Sequence, residues 1–186
     1  FDTLLESALR STWAANEITD GDTPKPLSIE VKYESGATDV FKRFTGAHVD
    51  ELTLRVEAGA PVRGSMSVLA RGATFSTTPL AGSTYVAPNT EALVVGHQIT
   101  SFTMAGLAPD CPISCDLQLR NGLRLQRCLN QSLEAASIGA GALEVTGTVR
   151  LYLTQTELDM LDAFTAGNET SIYFNVGTVA SKSLRV

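Results

Sequence analysis

This chain of 186 residues is short of several things that whole classes of function need. It has two histidines, His48 and His97, and three cysteines, Cys111, Cys115 and Cys128. Three cysteines cannot all pair, and they are too few for a disulfide-built secreted scaffold. Cys111 and Cys115 are four apart with no His cluster nearby, which makes a poor zinc site. Aromatics are 6% of the chain, little for an aromatic binding platform, and no dense Asp/Asn loop offers a calcium site. Basic residues are outnumbered, 14 Lys and Arg against 20 Asp and Glu, for a net charge of -6 and a pI near 4.9. That balance argues against a protein that grips phosphate with Lys and Arg. It does not exclude one that sits close to DNA without holding it. No apolar run approaches the roughly 20 residues that a membrane helix requires. Phe1-Asp2-Thr3 has neither an initiator Met nor the basic-then-apolar pattern of a signal peptide, so the front of the chain is expected to be trimmed.

A catalytic constellation is missing as well. His48 and Asp50 would share one face of a strand, as a base and its orienting carboxylate would. Yet no Gly-x-Ser-x-Gly elbow or other nucleophile accompanies them, and His97 is equally isolated. No catalytic residue, cofactor or metal ligand is expected.

What is present is a period of two. Leu52, Leu54 and Val56 alternate with Glu51, Thr53, Arg55 and Glu57, the signature of a half-buried strand. Val62, Gly64, Met66, Val68 and Ala70 form one face of a return arm, with Arg63, Ser65, Ser67 and Arg71 on the other. Gly59 and Pro61 lie between the arms, so 41–72 reads as a long antiparallel hairpin. Residues 27–34 alternate as a first strand, and 40–44 form a short second strand leading into the hairpin. Further strands are expected at 93–95, at 98–104 and at 113–120, where Cys115 falls in phase with Ile113, Leu117 and Leu119 and reads as a small core residue. Asn121-Gly122 ends that strand as a turn signal. Residues 123–137 read as loop with extended pieces, 143–153 as a second very long strand, 170–177 as another, and 183–186 as the start of a last one.

Two helices are expected. Thr3-x-x-Glu6 has capping-box spacing and opens 3–15, anchored by Trp13; Thr154-x-x-Glu157 opens 155–165, with Leu158, Leu161 and Phe164 as its apolar stripe and Gly167 as its stop. Residues 73–92, rich in Thr, Ser, Gly, Pro and Asn, read as a long protruding loop that orders against a partner, with a mere linker as the alternative. The halves of the chain echo each other: each has a strand with a clean apolar face, a partner strand with a mid-strand glycine (Gly64, Gly147), and a helix. The expected fold is mainly β, one domain over 1–186, an antiparallel sandwich or half-barrel of two sheets packed face to face, with two short helices.

In this order, the residues resemble the major tail tube proteins of long, non-contractile bacteriophage tails. The run Phe41 to Gly72 is similar to that family's aromatic strand, Thr45-Gly46, alternating strand, Gly/Pro turn and Val62-x-Gly64-Ser65. Leu143-Glu144-Val145-Thr146-Gly147-Thr148-Val149, the helix after it and Thr170-Ser171-Ile172-Tyr173-Phe174 resemble its second half. The resemblance implies stacked six-fold rings in a virion tail, each subunit adding four strands to an inner β-barrel through which DNA passes without specific binding. It also implies contacts with other tail proteins at the tube ends and with a tape-measure protein, synthesis in the host bacterial cytoplasm, and no membrane partner. Expected lumen-facing residues are then Glu51, Arg55, Glu57, Asp116, Glu144 and Arg150, with the two arginines making the lining mixed rather than purely acidic. The expected ring-stacking loop carries Thr74, Phe75, Pro79, Tyr85 and Asn89. The inner-tube protein of a contractile tail shares this logic. The competing reading is a β-sandwich module that binds a receptor or carbohydrate on a virion or cell surface.

Overall fold

Strand β2, Val40–Glu57, is the 18-residue element to which most of the larger sheet attaches. A computed structural model of the protein describes residues 2–14, 17–34, 36, 38–84, 99–104, 106–129, 133–167, 171–176 and 183–185. β1 (Leu27–Tyr33) pairs with the first half of β2, and β4 (Gly72–Ser76) pairs with the same half from the opposite edge, so Lys42 lies between Val31 and Phe75. After a turn at Gly59 (φ 76°), β3 (Arg63–Leu69) returns along β2. β6 (Pro112–Arg120) and β9 (Glu144–Leu151) complete the order β1-β2-β6-β9. A second sheet runs β11 (Ser183–Arg185), β10 (Ile172–Val176), β5 (Ile99–Met104), and β7 (Arg124–Gln126) pairs with β8 (Ser137–Gly139). Helices α1 (Asp2–Leu9) and α2 (Gln155–Thr165) complete a mainly β, antiparallel, sandwich-like fold, as the alternation predicts.

The chain divides into two compact units. In the first (1–52, 66–89, 119–145), Phe41, Ala47 and Val49 of β2 are buried, together with Ser7 and Ala8 of α1. Val49 N donates to Ser7 Oγ at 3.2 Å. Asn121, 2% exposed, donates from Nδ2 to Ala8 O (2.8 Å) and Val49 O (3.0 Å), clasping helix and strand with one amide. In the second unit (53–65, 90–118, 146–186), Val56 and Cys115 are the buried centre, packed by Leu54, Val62, Phe102, Val149 and Ile172. Burial pushes the Cys115 thiol pKa up, and the Asp116 carboxylate adds to the effect.

Several expectations are corrected. The short strand 40–44 and the arm after it are one strand, joined through Gly46. Leu27 of β1 faces Ala47 while Ile29 faces Phe44, so β2 carries an extra residue there, and Gly46 takes the φ of 56° that such a bulge needs. The loop expected from 73 begins later, because Ala73, Thr74 and Phe75 pair with Phe44, Arg43 and Lys42. Thr and Phe suit a pleated surface, and β2 offers a free edge to lie on. α1 is shorter than 3–15: Arg10 turns left-handed (φ 54°). Glu6 does not cap the helix start; its Oε1 accepts from Trp13 N at 3.2 Å, drawing the chain back after the helix. β9 is shorter than 143–153 because Tyr152 and Leu153 lead into the cap of α2. Asn121-Gly122 ends β6 at Arg120, as expected. The strand expected at 93–95 and His97 lie outside the described residues.

Candidate assembly site

The polar faces of the long strands follow from their register. Ala58 N donates to Ile113 O (2.9 Å) and Asn121 N to Asp50 O (2.8 Å), two bonds of one antiparallel register. In it Arg55 stands opposite Asp116, and Glu51 opposite Arg120. A Cβ on Gly64 would lie 3.2 Å from Thr53 O and 3.7 Å from Leu54 Cδ1; one on Gly147 would lie 3.0 Å from Asp116 O and 3.7 Å from Leu117 Cδ1. The echo glycines therefore occupy matching environments, each with its open side against a neighbouring carbonyl and a core leucine. With Gly64 on the Leu54 face, Arg63 and Ser65 fall on the other, and Ser65 Oγ sits 2.7 Å from Thr53 Oγ1. With Val149 packed against the Val56–Cys115 centre, Thr146, Thr148 and Arg150 alternate onto the face of Arg55 and Asp116.

In the second unit Arg55 is the hub of this face. Its Nη2 donates to Glu57 Oε2 at 3.2 Å and its Nε lies 3.6 Å from Asp116 Oδ1, all three side chains partly exposed. Arg150 is exposed on β9. In the first unit Glu144 and Arg120 line a shallow recess of about 300 Å³ with Asp50, Gly122, Leu123, Arg124 and Ala142. Asp50 Oδ1 accepts from Leu123 N at 2.8 Å and His48 Nδ1 lies 3.2 Å from Gly46 O, so each of that pair serves the backbone. By strand phase the polar positions carry Glu51, Glu144 and Arg120 in the first unit, and Glu57, Asp116, Arg55, Arg63 and Arg150 in the second. The chain's net charge of -6 is thus not concentrated there.

The loop candidates divide. Thr74 and Phe75 lie in β4, with Phe75 well exposed and Lys42 Nζ 5.6 Å from its ring centre. Pro79 is exposed in a turn held by side chains the sequence reading missed. Arg43 bonds both Glu30 and Thr78 O, while Leu80 N donates to Glu30 Oε1 and Oε2, each at 3.1 Å. The missed signal was Glu30 and Arg43 in adjacent strands, a pairing visible only once the register is known. Tyr85 and Asn89 lie outside the described residues.

α2 is fixed by its cap. The Glu157 carboxylate accepts from Thr154 N (3.0 Å), Thr154 Oγ1 and Asp110 N (3.1 Å), and Thr154 Oγ1 also lies 2.8 Å from Asp110 Oδ2. The Thr154 hydroxyl chiefly, with those amides, holds the Glu157 pKa below the usual carboxylate range against the opposing effect of desolvation. This anchoring turns Glu157 and Met160 inward and leaves Leu158 and Leu161 of the expected core stripe exposed, while the side chain of Phe164 lies outside the described residues.

Among the described residues β3 pairs with β2 alone and β9 ends the sheet at β6. A lone domain that leaves such edges open invites strand addition, and β-proteins normally cover or blunt them. These are the features of a structural subunit completed by others of its kind. The family model described as phage tail tube protein matches residues 1–184, and the chain belongs to that family. No curated protein matches it. It is a structural subunit of the virion tail that assembles with itself into the tail tube. Among the described residues no helix is long and apolar enough to cross a membrane.

Proposed function

We propose that this subunit forms hexameric rings that stack into the tail tube of a long, non-contractile tail, the conduit through which DNA is ejected. The observation that supports this reading is the strand order β3-β2-β6-β9, four antiparallel strands with polar residues in one phase and, among the described residues, an open edge at each end. β9 and β3 run in opposite directions, so β9 of one copy adds to β3 of the next as an antiparallel pair. Repeated head to tail, this contact closes into a ring and removes the edges at β3 and β9. The lumen is then lined by Glu51, Arg55, Glu57, Asp116, Glu144 and Arg150, joined by Arg63 and Arg120. Four charges of each sign give the duplex no excess of positive charge to release counterions against, so it slides. Thr74 and Phe75 of β4, with Pro79 of the turn after it, meet the adjacent ring, and the tube ends meet other tail proteins and a tape-measure protein inside. A structural role is the whole activity; no step of catalysis is assigned.

Negative-stain electron microscopy of the purified protein over a concentration series tests the reading. Rings or hollow tubes with six-fold end views are expected. End views of another symmetry would overturn the hexamer, and open filaments without a lumen would overturn the conduit.

A further inference from the structure

We propose that the exposed apolar stripe of α2 docks against Leu129 and Leu133 of a neighbouring copy within the tube. α2 has a wider apolar arc than its own unit covers. Glu157 and Met160 are the buried stripe, yet Leu158 and Leu161, the next positions around the helix, are 41% and 53% exposed. Tyr152 and Leu153, leading into the helix, are exposed as well. The stripe is bordered by exposed Asp159 and Asp162, and α2 contains no basic residue.

Leu129 and Leu133, in the other unit, are fully exposed, the two most exposed large hydrophobic side chains among the described residues. Exposed Arg124 and Arg127 precede them, and exposed Glu134 follows. Both patches are apolar, and the two arginines outnumber Glu134 beside the leucines, against the wholly acidic border of α2. An acidic stripe on a second acidic stripe would repel, so the complementary contact is heterologous: α2 of one copy on the arginine-flanked leucines of the next. The occupant is a second copy because the family assembles with itself, and a tube holds many copies at high local concentration. The inference rests on that assembly and adds a contact separate from the β9–β3 edge pairing.

A native thiol makes the contact testable. Cys128 is free, exposed and adjacent to Leu129; Cys111 is the other exposed cysteine and Cys115 is buried. Mild oxidation of tubes carrying Leu161→Cys in the full chain is expected to give a ladder of disulfide-linked oligomers on non-reducing gels. Adding Cys128→Ser should abolish the ladder, and adding Cys111→Ser should not. A ladder that runs through Cys111, or intact tubes that give none, would overturn the docking. As a second arm, Leu158→Glu with Leu161→Glu alters only exposed positions. It should keep the wild-type melting temperature while lowering tube yield at least tenfold. Normal tubes from that variant overturn the docking and leave the tube standing, whereas wild-type protein that never forms tubes overturns both.

Discussion

Arg55 stands opposite Asp116 across β2 and β6, Nε 3.6 Å from Oδ1, and its Nη2 reaches Glu57 on its own strand at 3.2 Å. Exposed pairs of this kind contribute about 0–1 kcal/mol each, so the cluster matters less for stability than for the charge that the strand face presents. It keeps a guanidinium on that face without leaving it uncompensated.

Glu57→Lys with Asp116→Lys is therefore expected to fold and to lower stability by no more than about 1–2 kcal/mol, since it removes two exposed pairs. Each reversal moves the face by two charges, from balance to a clear positive excess. Tubes of this variant should retain duplex DNA at low salt and release it as salt rises, while wild-type tubes do not. Fluorescence anisotropy of a labelled duplex, titrated with salt, measures this. Binding indistinguishable from wild type would mean that these side chains do not face the channel.

Gly64 and Gly147 are predicted to be intolerant of bulk for a shared reason. Each would aim a Cβ at a carbonyl of the neighbouring strand, 3.2 Å from Thr53 O or 3.0 Å from Asp116 O, with a leucine methyl beyond. A carbonyl in a paired strand cannot move aside without breaking the ladder. Gly64→Val and Gly147→Val should each cost about 1–3 kcal/mol through overpacking. Urea unfolding gives the values; an unchanged midpoint would show that the strands can part.

How much of this was legible in the sequence depends on how local the cause is. The alternations of Leu52, Leu54 and Val56, and of Cys115, Leu117 and Leu119, mark strands because the pleat repeats every two residues. The bounds of α2 were readable because Thr154 and Glu157 close the cap within three residues. Even the kinship of Gly64 and Gly147 was visible as pattern. What was hidden depends on residues distant in the chain. The bulge at Gly46 exists against β1, β4 exists because β2 has an edge to take it, and Asp110 sets the rotation of α2. The Glu30–Arg43 anchor of the turn near Pro79 needed the β1–β2 register. Of the candidate site, the polar phase was legible; its charge balance was not, since Arg63 and Arg120 join it only through pairing.

Asn121 is expected to be worth more than its place in a turn suggests. Its Nδ2 serves Ala8 O and Val49 O at once, in a nearly sealed position. Asn121→Leu removes both bonds and leaves two buried carbonyls unmatched, at about 1–3 kcal/mol per stranded group. Asn121→Asp should be worse, because a carboxylate faces those carbonyls with no proton to donate. Thermal melts should rank wild type above Leu and Leu above Asp, and equal melting temperatures would refute the clasp.

Glu157 gives the protein a defined weakness to acid. Its carboxylate is bonded by the Thr154 hydroxyl and by the amides of Thr154 and Asp110, and those bonds favour the ionised form in the folded state. The folded pKa is thus below that of the unfolded chain, which lies at about 4.3 for glutamate. A lowered pKa contributes stability that is complete above the unfolded value and is lost as pH falls through the folded one. The start of α2 and the Asp110 amide should then lose hydrogen-exchange protection as pH is lowered from about 4.3, after correction for intrinsic exchange rates, while the Cys115–Val56 centre keeps its own. Glu157→Gln cannot ionise and loses charge-assisted bonds, so its α2 protection should be lower at neutral pH and flat across that acid window. A variant that still loses protection there would assign the acid response to another group, Asp110 first among them.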